Sequence, residues 1–295
     1  MEIDSTFVGT SLKKYSCKVN WRDIMNYAAA TEDNNQKYFD DEKEEGIVAP
    51  PMFAVSKSWP ILENLSQFIE AYDFPTELFF TIVHYTEHLK IHRLIKPGDE
   101  LEFKGKIAAI LPHRAGTHII LCLEVTDNNN KPVFTEFLGG MLRGVECIGG
   151  AMGEKNVPVL ARDFLDKENH DPLWEKSIVI DPLRTFIYDG CTGISFPIHT
   201  SKQFARQVGL PGIILHGTAT LAFAVKELTN KEANGNPSKI KEIACKFTDM
   251  VFPGSIIKLI LQEREKTDNG KELIFEVHND KGKKAIREGY VLIKE

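Results

Sequence analysis

From Leu215 to Val225 the chain runs through eleven residues with almost no polar break, with Gly217 near the start and Lys226-Glu227 at the close. A run of this kind predicts a helix buried on all sides. Just before it, Gly190, Gly193 and Pro197 break the chain into a loop ahead of His199. From Thr200 the spacing of Phe204, Val208 and Leu210 among Lys202, Gln203 and Arg206 predicts an amphipathic helix. The N-terminal half has a comparable order. A short strand is expected within residues 1–20, and Asn20 then caps a helix whose apolar face is Ile24, Met25, Tyr27, Ala28 and Ala29. Thr31 to Asn35 favours turns, Asp40 to Glu45 is an acidic loop, and Pro50-Pro51 opens a second buried helix through Met52, Phe53, Val55, Trp59, Ile61 and Leu62.

After each helical stretch the period changes to two. Segments 81–89, 101–111, 118–125 and 133–142 in the first half, and 178–180, 243–247, 256–262, 273–277 and 285–293 in the second, alternate in the manner of strands. Lys96-Pro97-Gly98 answers Phe252-Pro253-Gly254, Gly46-Ile47-Val48 answers Gly212-Ile213-Ile214, and Asp127-Asn128-Asn129-Asn130-Lys131 answers Asn279-Asp280-Lys281-Gly282-Lys283. Two copies of one helix-plus-sheet unit follow, giving an α+β fold of two tandem, helix-wrapped antiparallel sheets joined side by side. The expected division is 1–148, a linker over 149–175 that begins at Gly149-Gly150, and 176–295.

A length of 295 residues fits two such units. The net charge of −6 argues against a nucleic-acid partner, because neutralising phosphates needs a basic face. No apolar run reaches the roughly 20 residues needed to span a bilayer, and the start lacks the basic and apolar regions of a secretory signal. Cys17, Cys122, Cys147, Cys191 and Cys245 are scattered without a CxxC pair, which suits reduced thiols in the cytoplasm. Antiparallel edge strands invite pairing, so a homodimer is an expected assembly.

The candidate chemistry gathers around His199. A buried helix opening at His216-Gly217 presents unpaired backbone N–H groups, and a glycine there lets a carbonyl oxygen come close. A histidine on the preceding loop adds a proton acceptor or donor at the same point. The plainer reading is a loop histidine that caps a helix, with Gly217 serving only tight packing. His216 reads more often as structural, and Cys191 more often as a small buried residue than as a nucleophile. Among His84, Glu87, His88 and His92, the three histidines would share a face on a helix, but Thr81-Ile82-Val83 and Tyr85-Thr86 favour a strand, on which three residues at that spacing spread too far for one site. No metal site is expected. Lys202 with Arg206, and Lys90, Arg93 and Lys96, are weak candidates for phosphate contacts, and a solvated face is the simpler role.

The spacing of Tyr188, Thr192-Gly193, Pro197-Ile198-His199, Ala205, Gly212 and Leu215-His216-Gly217 resembles the motif of the MaoC-like (R)-specific enoyl-CoA hydratases and 3-hydroxyacyl dehydratases, a double hot-dog family. The resemblance implies addition or removal of water at trans-2-enoyl and 3-hydroxyacyl thioesters. His199 would be the acid/base and the Gly217 N–H the donor to the thioester oxygen. The substrate would be an acyl-CoA or acyl-carrier-protein thioester, coenzyme A entering as part of it and no other cofactor being required. In that family an Asp and an Asn help to hold the water; here those positions are Ile194 and Phe196. In the first half, Tyr27-Ala28-Ala29-Ala30-Thr31-Glu32-Asp33-Asn34-Asn35 and Ala49-Pro50-Pro51-Met52-Phe53 resemble the family's non-catalytic half. Its proline falls on Gln36 and its histidine on Tyr38. Ile194, Phe196, Tyr188, His216, Asp33 and Asn35 are therefore the expected substrate-binding positions. Two alternatives share the fold: a non-catalytic acyl-CoA or acyl-carrier-protein binding subunit, and a thioesterase using Asp33.

Overall fold

The computed structural model describes residues 1–159 and 171–294. Its strands are β1 (Glu2–Asp4), β2 (Ser11–Lys18), β3 (Ile82–Ile91), β4 (Glu100–His113), β5 (Gly116–Asp127), β6 (Pro132–Arg143), β7 (Glu146–Ile148), β8 (Trp174–Val179), β9 (Ile240–Phe247), β10 (Ile256–Thr267), β11 (Gly270–His278) and β12 (Lys284–Ile293). The α-helices are α1 (Trp21–Ala30), α2 (Ala54–Glu63), α3 (Leu65–Phe68), α4 (Arg184–Thr192), α5 (Lys202–Gln207) and α6 (Gly217–Glu232). Ten strands form one sheet in the order β2-β4-β5-β6-β3-β9-β12-β11-β10-β8, while β1 and β7 pair separately and in parallel. The second five strands repeat the order of the first five outward from the β3–β9 seam.

The repeat extends to single hydrogen bonds. Ala49 N–H bonds Ile95 O and Leu215 N–H bonds Val251 O, each at 2.8 Å. Gly98 N–H bonds Val19 O at 2.8 Å, as Gly254 N–H bonds Ile180 O at 2.9 Å. At the seam Glu87 pairs with Cys245, His88 with Ala244 and Leu89 with Ile243. His88 and Ala244 stand as far apart in sequence as Pro97 and Pro253, so the pseudo-twofold axis passes between this pair. α1 and α4 pack across the same axis.

Two helical expectations are corrected. Residues 184–192 form α4, although Gly190 reads as a breaker; Gly193, at φ 71°, supplies the left-handed C-cap, and the loop begins only there. α6 does not stop at Lys226-Glu227. It continues to Glu232 because Leu228 and Thr229 are buried, while the Lys226 amine reaches Thr31 O at 3.4 Å and lies over the Phe223 ring. Of the expected linker, residues 160–170 lie outside the described residues; its start is tied to β4 by the bridge between Ile110 and Met152, and its end, from Trp174, belongs to β8. Among the described residues no helix is long and apolar enough to cross a membrane.

β3 departs from regular alternation. Its register against β6 shifts between His84 and Thr86, which face Gly140 and Gly139. Tyr85 and Thr86 both meet His118, at 5.1 Å between rings and 3.2 Å from Oγ1 to Nε2, so they share the outer face. A Cβ on Gly139 would fall 2.0 Å from Thr86 Oγ1, which is why this neighbour is glycine. Past the bulge, Glu87, Leu89 and Ile91 point inward, and so does His84 before it. The bulge brings His84 and Glu87 together: His84 Nε2 lies 3.2 Å from Glu87 Oε2. His88 faces outward to Glu242 Oε1 at 2.5 Å, and His92 bonds Thr135 Oγ1 at 3.1 Å. The four residues do not form one cluster, and among the described residues no group of three or more His, Cys, Asp or Glu is placed to hold a metal ion.

Candidate active site

The loop carrying His199 is fixed from both ends. Thr192 Oγ1 donates to Tyr188 O at 2.6 Å and accepts from Ile194 N–H at 3.2 Å, which turns the chain out of α4. Pro197 to His199 form one 3-10 turn, and Ser201 caps α5 by accepting from Phe204 N–H at 3.2 Å. His199 Nδ1 lies 2.8 Å from Ile214 O. A carbonyl oxygen only accepts, so Nδ1 carries the proton and Nε2 keeps its lone pair. The half-buried ring is packed densely enough that burial holds its pKa down to about 4, and at neutral pH the imidazole is an uncharged base.

His216 stacks on His199 with ring centroids 3.6 Å apart and planes 23° from parallel. It is 2% exposed, and burial together with the neighbouring His199 lowers its pKa to about 2. The Ile194 carbonyl faces this ring without closing a hydrogen bond, and both ring nitrogens are unpartnered. On its other side His216 meets Tyr188 at 4.9 Å. Tyr188 Oη donates to Thr218 Oγ1 at 3.2 Å and so accepts from Tyr27 Oη at 3.3 Å. These hydroxyls tie the start of α6 to α4 and α1. Tyr188→Phe is expected to cost about 1 kcal/mol in urea unfolding. Tyr27→Phe added to it should cost less than it does alone, because the two hydroxyls share a bond.

α6 starts at Gly217, and its first intrahelical bond runs from Thr220 N–H to His216 O at 3.1 Å. The N–H groups of Gly217, Thr218 and Ala219 precede that bond and form the positive end of the helix. Phe247, at the end of β9, covers this end: a Cβ on Gly217 would lie 3.0–3.2 Å from its ring atoms. Phe247 also meets His84, with ring centroids 4.7 Å apart. Sequence reasoning passed over Phe247 and the Ile214 carbonyl, since neither residue type signals a site.

The structure brings His199, His216, Gly217, Tyr188 and Ile194 together, with Ile194 only 2% exposed. Phe196 is on the same loop, but its ring turns to Phe204 on α5 at 6.1 Å. Asp33 and Asn35 lie elsewhere. Asn35 Nδ2 donates to Gly235 O at 2.7 Å, beyond the C-terminal end of α6, and Asp33 feels the charges of Lys226 and Glu227. Position 226 is about 13 Å along the helix from Gly217 at 1.5 Å per residue. The first half thus builds its own corner, in which buried Asp33 and Tyr38 hold the places of Ile194 and His199. There Pro51 replaces Gly217, so this helix opening lacks the N–H that a carbonyl would need. Lys202 and Arg206 are exposed on α5.

A ten-stranded antiparallel sheet wrapped around two buried helices, with an imidazole base at the start of one of them, defines a double hot-dog protein. The comparisons agree. A model of the MaoC like domain matches residues 163–284, and one of the FAS1-like dehydratase domain region matches residues 6–136. The peroxisomal enoyl-CoA hydratase 2 of Arabidopsis thaliana is 25% identical over 296 residues, covering 93% of this chain and 90% of the relative. The 3-hydroxyacyl-thioester dehydratase Y of Mycobacterium tuberculosis is 27% identical over 189 residues, covering 62% of each. The crystal structure of a MaoC-like dehydratase from Phytophthora capsici superposes with a TM-score of 0.82 at 20% identity, covering 98% of both chains. Residues 163–284 thus match the MaoC like domain and residues 6–136 the FAS1-like dehydratase region, and along its length the chain is similar to MaoC-like hydratases and dehydratases.

Proposed function

We propose that this protein is a hydro-lyase that adds water to trans-2-enoyl thioesters or removes it from 3-hydroxyacyl thioesters. The observation that carries the reading is the tautomer of His199: with Nδ1–H spent on Ile214 O, Nε2 is a neutral acceptor near the N-terminus of α6. The Gly217 N–H would hold the thioester oxygen and stabilise the enolate as it forms. Water oxygen would bond to C3, its proton would pass to His199 Nε2, and the imidazolium would return that proton to C2. The enzyme ends as it began, so the reaction requires no metal or redox cofactor, and coenzyme A or an acyl-carrier protein enters with the acyl group.

A second reading, a non-catalytic acyl-thioester binding subunit, is favoured by Ile194, a buried apolar side chain where the family places its carboxylate. Asp33, on which a thioesterase reading would rest, lies beside the far part of α6 and gives that reading no support. The five free cysteines suit a cytoplasmic site of action.

The test follows crotonyl-CoA and a longer trans-2-enoyl-CoA by loss of the conjugated-thioester absorbance, with a thiol reagent reporting free CoA. Loss of absorbance without thiol release is the expected result. Thiol release would instead make the protein a thioesterase, and saturable binding with neither signal would make it a binding subunit.

A further inference from the structure

Two imidazoles are linked by contact to the N-terminus of α6. His199 reaches it through the stack with His216, and His84 through the Phe247 ring, which touches both His84 and Gly217. His84 belongs to the first half of the chain and turns inward only because of the bulge at Tyr85. Its Nε2 lies 3.1 Å from Thr86 O and 3.2 Å from Glu87 Oε2. The carbonyl accepts only, so Nε2 carries the proton and Nδ1 is left as an acceptor. Beside it stand Glu87 and Glu136, two fully buried carboxyls.

We infer that His84 is a further catalytic residue of the same site, its Nδ1 holding the reacting water together with His199 Nε2, in the place left by the apolar Ile194 and Phe196. The inference rests on the hydratase reading above. A water molecule carries two hydrogens, and hydration calls for two acceptors that orient it while its oxygen faces C3. His199 supplies one acceptor and the proton transfer. Ile194 and Phe196 supply none, whereas His84 presents an acceptor whose own proton is already engaged. The enoyl carbons would take the volume now filled by the Phe247 ring, which touches both Gly217 and His84 and sits half-buried at the end of β9. The proton balance is unchanged: one water hydrogen goes to His199 and then to C2, and the other stays on the new C3 hydroxyl, hydrogen-bonded to His84.

The test uses the full chain and measures kcat for crotonyl-CoA hydration and Kd for butyryl-CoA in His84→Leu, Ile194→Asp and the double variant. His84→Leu should lower kcat by about 10²-fold, within the range of a single proton-handling group, and leave Kd within about twofold. In the Ile194→Asp background, where a carboxylate can hold the water, the same substitution should lower kcat by less than about tenfold. His84→Met stands in if His84→Leu does not fold. An equal loss in both backgrounds, or no loss in either, overturns the inference while the hydratase reading stands. A wild-type chain that does not hydrate, or hydration that survives His199→Ala, overturns the reading itself.

Discussion

Replacing His199 with alanine is expected to lower kcat for enoyl-CoA hydration by about 10²–10⁴-fold, the range for loss of a general acid–base group. Few side chains here could take over. His216 stacks against His199, but burial pushes its pKa to about 2, which makes it a far weaker base. Asp33 is held near the other end of α6. The loss should fall on kcat, since on the proposed reading the Gly217 N–H would hold the thioester with or without the imidazole. His199→Gln keeps the size of the side chain but not its basicity, and it should be nearly as inactive. If His199→Ala retained more than about a tenth of wild-type kcat, His199 would not be the base.

The pH dependence follows from the same environment. Burial favours neutral His199, so its pKa of about 4 lies below the ordinary value of 6.5. The base is therefore available above pH 4 and is lost on protonation below it. The kcat/KM profile should rise with pH through about 4 and then stay level to neutrality; a limb near 6.5 would mean that the ring is solvated in the free enzyme. Folding stability carries the same sign. Between about pH 4 and 6.5 the unfolded chain binds a proton at this residue that the folded chain does not, so stability rises with pH across that window and falls as acid is added.

The strands were legible because their alternation is regular and their turns contain Pro-Gly or Asn-rich segments. The repeat was legible from those turns, and the register of β3 against β9 agrees with it. α4 was hidden by Gly190 and Gly193. The matching position of Tyr27 and Tyr188 in the two halves could have revealed it, because Tyr27 already lay on a helical face. In the site, His199, His216 and Gly217 were legible because their spacing fixes them at a helix start. His84 was not. A period-two reading puts residues 84 and 87 on opposite faces, and only the bulge, with Gly139-Gly140 opposite it, reverses that. Phe247 reads as any strand aromatic until Gly217 is seen beneath it.

Stability of the wild-type chain is expected to fall as pH rises from 7 to 8, and the slope should shrink when Glu87 or Glu136 becomes glutamine. Both side chains are 0% exposed at the seam of the two halves. Counted as carboxylates, their four oxygens have no hydrogen-bond donor. Two adjacent carboxylates cannot supply one to each other, so at least one carboxyl carries a proton. Burial pushes the Glu87 pKa from 4.5 up to about 8, and burial together with the neighbouring Glu87 charge pushes Glu136 well above its ordinary value. The sign is that of a raised acid. Above pH 4.5 the unfolded chain releases protons that the folded chain retains, so stability drops with pH until the folded groups ionise. Each retained proton contributes a slope of about 1.4 kcal/mol per pH unit. The depressed histidines His84, His118, His199 and His216 give a slope of the opposite sign that is largest near pH 6.5, where their unfolded imidazoles are half protonated, and becomes small above pH 7. Urea unfolding between pH 7 and 8 should therefore show the steepest decline in wild type, a decline shallower by about 1 kcal/mol per pH unit in Glu87→Gln, and the shallowest in Glu87→Gln/Glu136→Gln. Parallel lines for all three would mean that both carboxyls are ionised in the native seam. The slope would then belong to other groups, and the carboxyls beside His84 would be a pair of charges instead of sharing a proton.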